Sequence, residues 1–143
     1  MRANSRVILV GLAVLVAGGA VFAMTRPGSG EGSLGGSSWV LTGTSADSFD
    51  PAKVAITAEF TDTQISGSSG VNRYSGGYTA TSAGTFSVGE LISTLMAGPE
   101  ADMQAEATYI KLLRSATAYQ LDGDRLTLKD AAGNDQLIYA AAP

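Results

Sequence analysis

From Val54 onward the apolar side chains take every second position, Val54, Ile56, Ala58 and Phe60, with Ala55, Thr57 and Glu59 between them. A period of two makes a strand with one buried and one wet face. Thr61-Asp62-Thr63 supplies turn chemistry, so Gln64 to Ser69 is expected to return as the antiparallel partner. Upstream, Ser38 to Gly43 reads as an earlier strand in which Trp39 opens the core. Downstream, Arg73 to Thr81 places Tyr74, Gly76 and Tyr78 on one face and Thr85 to Val88 joins Phe86 to Val88. That is a second hairpin with Ser82-Ala83-Gly84 at its tip. Thr94 and Met96 then form a strand-to-helix connection packed on the core.

After Pro99 the period changes. Met103, Ala107, Ile110 and Leu113 recur at helical spacing, Pro99 suits a first helical turn, Glu100 and Asp102 lie at its positive end, and Lys111 and Arg114 at its negative end. One amphipathic helix over about Pro99 to Ser115 is expected. Ala118 to Leu121, Arg125 to Lys129 and Gln136 to Ala140 follow as strands joined by Asp122-Gly123-Asp124 and by Asp130 to Asn134, with Leu126 and Leu128 inward and Arg125, Thr127 and Lys129 outward. Strands, one helix and strands again predict an α+β fold, a curled antiparallel β-sheet with one amphipathic helix packed on its open side.

A third pattern precedes both. Arg2 and Arg6 are followed by the apolar run Val7 to Met24, the charged and apolar regions of an N-terminal hydrophobic export segment. Val21-Phe22-Ala23 offers a signal-peptide cleavage site, while an 18-residue run also meets the lower limit for a transmembrane anchor. In either case the positive-inside rule puts the remainder outside the cytoplasm, membrane-anchored or secreted. Pro27 to Gly36 is a Gly/Ser-rich linker, whose Gly30, Gly32 and Gly35 spell a dinucleotide fingerprint without the strand and helix that give it meaning. The expected organisation is therefore 1–26 signal peptide or signal anchor, 27–36 linker and 37–143 domain.

Composition removes much of the enzyme catalogue. The 143 residues contain no histidine and no cysteine, so there is no imidazole base, thiolate, disulfide, Cys/His zinc site or lipoprotein anchor. Removing Arg2, Arg6 and Arg26 from the nine basic residues and Glu31 from the thirteen acidic ones leaves a domain of net charge −6. That sign argues against nucleic acid and against electrostatic docking on anionic lipid, leaving the membrane to the N-terminal segment alone.

The run Gly67-Ser68-Ser69-Gly70-Val71-Asn72-Arg73-Tyr74-Ser75-Gly76-Gly77-Tyr78, followed by Ile92-Ser93-Thr94-Leu95-Met96-Ala97 and by Glu106, Tyr109, Leu112 and Leu113, resembles the META/HslJ-like domain family. Trp39-x-Leu41 before it and Gly123-Asp124-Arg125-Leu126-Thr127-Leu128 after it extend the likeness over about Ser37 to Tyr139. The resemblance implies a small exported or envelope-associated α+β domain, often linked to stress responses and without an established activity. It marks Trp39, Gly67, Gly70, Gly76, Thr94, Met96 and Glu106 as structural motif residues. Two positions depart from it, Val71 and Gly98, where relatives usually carry cysteine. The resemblance implies that those cysteines pair, and a Val71→Cys, Gly98→Cys double mutant is then expected to form the bridge that this chain lacks.

Asn72-Arg73-Tyr74 is the most chemically loaded cluster and the candidate binding loop. It combines an amide, a guanidinium able to grip a carboxylate or phosphate, and an aromatic ring between glycines. The alternative reading, which is favoured, makes it scaffold, with Asn72 bonding its own turn and Tyr74 filling the core. Ser93 and Thr94 have no base near them to make a nucleophile. Of the carboxylates Glu90, Glu100, Glu106, Asp122, Asp124 and Asp130, most are explained structurally, Glu100 at the helix start, Glu106 on the helix and Asp122 and Asp124 in a turn, rather than as a hydrolytic pair or a metal site. No catalytic residue, cofactor or metal is expected. The expected function is a noncatalytic envelope or stress-associated module that binds a protein or small envelope ligand, and the alternative is an exported inhibitor of a protease or other hydrolase.

Overall fold

The computed structural model describes residues 33–143; the export segment and most of the linker lie outside the described residues. Eight strands and one helix follow in the order β1 (Ser37–Thr44), β2 (Thr57–Phe60), β3 (Gln64–Ser68), β4 (Arg73–Ala80), β5 (Phe86–Ser93), α1 (Glu100–Ser115), β6 (Ala118–Asp122), β7 (Arg125–Lys129) and β8 (Asp135–Ala141). They form one antiparallel sheet of order β5-β4-β3-β2-β1-β8-β7-β6. The sheet curls until its edges meet at one end, where Thr85 bridges Ala118 and Phe86 N–H donates to Thr117 O at 3.0 Å. Among the described residues no helix is long and apolar enough to cross a membrane.

The alternating pattern fills the inside of this curl. Ile56, Ala58 and Phe60 are buried, as are Trp39 and Leu41 on β1 and Leu126 and Leu128 on β7. Thr127, expected outside, is buried as well, because it sits on a central strand between Gln120 and Ile138 of its neighbours. The packed unit begins at Leu34, inside the expected linker: Leu34 is buried and Gly36 N–H donates to Phe60 O at 2.7 Å. β5 runs five residues beyond Val88. A bulge opposite Gly76 to Tyr78 inserts an extra residue on β5, which breaks the simple alternation there.

The helix presents the expected face only in its second half, where Leu113 is buried and Ile110 packs against the core. Ala105, Tyr109 and Leu113 are buried, while Met103 and Ala107 are exposed. The inward stripe also contains a tyrosine and a glutamate, so apolar spacing alone finds Ile110 and Leu113 but misplaces Met103 and Ala107. Tyr109 is drawn in because its hydroxyl has partners: Tyr109 Oη lies 2.7 Å from Tyr74 Oη and 2.9 Å from Tyr139 Oη, and Tyr74 Oη donates to Thr57 O at 2.8 Å. A hydroxyl has one proton, so Tyr74, committed to the carbonyl, must accept from Tyr109, which accepts from Tyr139. This chain ties α1 to β2, β4 and β8 through the middle of the core.

Burial raises the ionisation of all three phenols above the usual value. A folded value above the unfolded one, near 10, contributes stability that is complete below that value and is lost as pH rises beyond it. Alkaline titration followed by phenolate absorbance is expected to leave Tyr74, Tyr109 and Tyr139 silent until the domain unfolds. Reversible ionisation of all five tyrosines in the folded state would contradict this placement.

Candidate functional site

The β3–β4 turn, the connector between β5 and α1, and the middle of α1 meet at one point. The turn is tight because Gly67 and Gly70 allow it. A side chain at Gly67 would collide with the Thr57 carbonyl on β2, and Gly70 has φ +122° and lies against Val54 and Asp102 O. Gly76, farther along β4, is packed as closely on the Glu90–Leu91 backbone of β5. With the turn fixed, Asn72 points inward and is 5% exposed.

The Asn72 side-chain amide uses all of its hydrogen-bonding capacity. Oδ1 accepts from Thr94 Oγ1 at 2.7 Å and from Met96 N–H at 2.6 Å, while Nδ2 donates to Met96 O at 3.2 Å and to Glu106 Oε2 at 2.8 Å. Glu106 Oε1 accepts from Asn72 N–H at 2.7 Å, Val71 N–H at 3.2 Å and Ser69 Oγ at 2.8 Å. Burial of the Glu106 carboxyl pushes its ionisation upward. The donors from the Asn72 side chain and backbone, Ser69 and Val71 outweigh that effect and hold it below the usual carboxylate range. The Asn72 backbone carbonyl bonds its own turn, accepting from Ser69 N–H at 2.8 Å, as expected of it as scaffold, but its side-chain amide reaches across to two other segments.

Gly70, Thr94, Met96 and Glu106, distant in sequence, thus come together around Asn72. Tyr74 is buried on the core side and Arg73 is exposed, so the expected binding trio is divided, with only the guanidinium presented to solvent. Trp39 stands apart in the core, its indole N–H on Ser37 Oγ at 2.8 Å. Ser69, which no sequence signal singled out, sits beside Glu106 like a nucleophile beside a base. It is 0% exposed and its carboxylate partner is a weakened base, so it holds the turn. Among the described residues no three acidic side chains gather as a metal site.

The connector itself is the surprise. Expected to pack on the core, its side chains are exposed instead: Leu95 is 95% accessible, with Met96 at 56% and Ile92 on β5 at 69%. Its backbone does the packing in their place. Thr94 N–H donates to Arg73 O at 3.0 Å, Arg73 N–H to Thr94 Oγ1 at 3.1 Å, and Met96 exchanges both of its backbone groups with Asn72. Beside it an open groove is lined by Ser66, Arg73, Ser75, Ile92 and Ser93. Leu95 was missed because an apolar residue in Thr94-Leu95-Met96 reads as core, and only the long-range bonds of Asn72 turn it outward.

A family model described as META domain matches residues 32–143. Among solved structures, the chain is similar to the NMR structure of a protein from Burkholderia xenovorans, at 28% identity and a TM-score of 0.61, covering 76% of this chain and 83% of that one. It is also similar in fold to a DUF4847 family protein from Bacteroides vulgatus, at 15% identity and a TM-score of 0.56, covering 75% and 93% respectively. No curated protein matches the chain.

Proposed function

The chain belongs to the META domain family, and we propose that it serves as a noncatalytic binding module outside the cytoplasm, anchored or secreted through its N-terminal segment, that engages a protein or small ligand of the cell envelope. The observation that carries this reading is the division of labour at the site. Polar groups of the family signature are spent on one another around Asn72, while Leu95, Met96 and Ile92 are held out on a pinned backbone. Exposed apolar side chains on a rigid support are contact residues of the kind that anchor interfaces. The connector also lies at the end of the sheet opposite the start of the described chain: Leu34 and Gly36 adjoin Phe60, whereas Thr94 adjoins Arg73 at the other end of the strands.

The test is crosslinking and recovery of partners in the native envelope with the intact chain and with Leu95→Ala and Arg73→Ala variants, both at exposed sites. A specific partner lost with Leu95→Ala is the expected result. An unchanged partner profile in both variants would move the binding surface elsewhere. A second reading, an exported inhibitor of a protease or other hydrolase, is favoured by the same rigidity, because binding loops ordered in advance lose little entropy on association.

A further inference from the structure

We infer that Thr94-Leu95-Met96 is a substrate-mimicking loop that blocks an endoprotease with an apolar primary specificity pocket, Leu95 being the residue that enters it. The inference rests on the reading of the domain as a noncatalytic binder and names its partner class. In extended chain, the N–H and C=O of one residue point to the same side and those of its neighbours to the opposite side. Both backbone groups of Met96 bond the Asn72 amide, and Thr94 N–H bonds Arg73 O on β4. In that geometry the N–H and C=O of Leu95 face away from the domain. Among the described residues no hydrogen bond involves Leu95, and its side chain is 95% exposed. An extended segment offering one free backbone pair and one protruding apolar side chain is what an endoprotease reads in a substrate.

The same bonds explain why such a segment would resist turnover. Attack by a protease serine on the Leu95 carbonyl carbon gives a Leu95 acyl-enzyme and, after the serine's proton has passed through the protease base to the leaving nitrogen, a free Met96 amine. In this fold Asn72 Oδ1 holds that nitrogen and also the Thr94 hydroxyl, the residues that flank Leu95 on either side. The amine stays beside the acyl carbon and can re-form the peptide, returning the serine its proton. Asn72 is a positioning residue in this scheme, and Glu106 fixes Asn72.

The test uses the full chain against chymotrypsin and subtilisin, which accept leucine, and against trypsin, which requires a basic residue. The expected result is stoichiometric inhibition of an apolar-pocket enzyme and none of trypsin. Leu95→Lys is expected to weaken the first by about 100-fold and to create inhibition of trypsin. Asn72→Ala is expected to convert the inhibitor into a substrate cut between Leu95 and Met96. Rapid cleavage there without inhibition in the parent chain, no inhibition of either leucine-accepting enzyme, or inhibition unaltered by Leu95→Lys would overturn the inference. If a Leu95-dependent envelope partner is still recovered in that case, the binding reading stands and only the protease assignment falls; if none is recovered, both fall.

Discussion

Replacing Glu106 with alanine is expected to destabilise the domain by about 3 to 5 kcal/mol, a large share of the roughly 5 to 15 kcal/mol that holds a domain of this size together. The carboxylate accepts from the backbone N–H groups of Val71 and Asn72, the Asn72 side-chain amide and the Ser69 hydroxyl, and Ser69 and Asn72 have almost no access to solvent. Bonds to a charged acceptor contribute about 1.5 to 3 kcal/mol each, and donors left unpaired in a buried site cost about as much again. Water entering a partly open site recovers some of this, which keeps the total below the sum. Glu106→Gln retains an acceptor but turns an amide toward donors, so an intermediate loss is expected. Urea denaturation at pH 7 measures both, with Glu100→Ala on the exposed start of the same helix as control. A loss below about 1 kcal/mol for Glu106→Ala would mean that the node is not what secures the turn to the helix. The pH dependence carries a sign as well. A folded ionisation below the unfolded one gives stability that is present above the ordinary carboxylate range and is lost as pH falls through the folded value. The parent protein should weaken through that acid window more steeply than Glu106→Gln, in which the group is absent.

The second large effect runs in the opposite direction. A Cβ built on Gly98 stands 3.5 Å from Val71 Cβ, at the near edge of the spacing that a disulfide spans. The Gly98 backbone is not in the left-handed region, so cysteine is admissible there. Val71→Cys, Gly98→Cys is therefore expected to oxidise within one chain. By closing the segment from residue 71 to residue 98 it should add about 3 to 4 kcal/mol relative to its reduced form. Thiol titration and denaturation with and without reductant measure the two claims, and two free thiols persisting under oxidising conditions would refute the pairing. In the present chain the same contact is filled by a large residue against a small one. A methyl at 98 would meet the Val71 methyls at 2.8 and 3.0 Å, so Gly98→Ala should cost about 1 to 3 kcal/mol, and Val71→Ala should relieve it in the double mutant.

How far the sequence reveals this molecule depends on how far each bond travels along the chain. Ile56 to Phe60 and Arg125 to Lys129 announce their strands because alternation is local, although pairing starts later than the alternation from Val54 suggests, and the turns between hairpins follow from Thr61-Asp62-Thr63 and Gly123. The α1 helix is equally plain in extent. Its buried face is not, since Glu106 and Tyr109 turn inward through polar partners on other strands, and a rule that buries only apolar residues selects Met103 and Ala107 instead. The cluster at Asn72 shows the same limit. Its residue types suggest a ligand site or a turn, but its bonds lead to Met96 and Glu106, more than twenty positions away. The resemblance to a family had grouped those residues in order along the chain; the structure supplies the reason, which is that they share one hydrogen-bonded node. That node in turn accounts for Leu95, an apolar residue displaced to the surface because its two neighbours have their backbones tied down.

The most direct test of this account is native-state amide hydrogen exchange resolved at Leu95 and Met96. If the Asn72 amide pins the connector as one strand pins another, the Met96 N–H is protected and the adjacent Leu95 N–H exchanges at close to the rate of an open chain. Asn72→Ala should then remove the protection of Met96 before that of β1 and β8. Equal and unprotected exchange at both positions in the parent protein would contradict it, and with it the rigid presentation of Leu95.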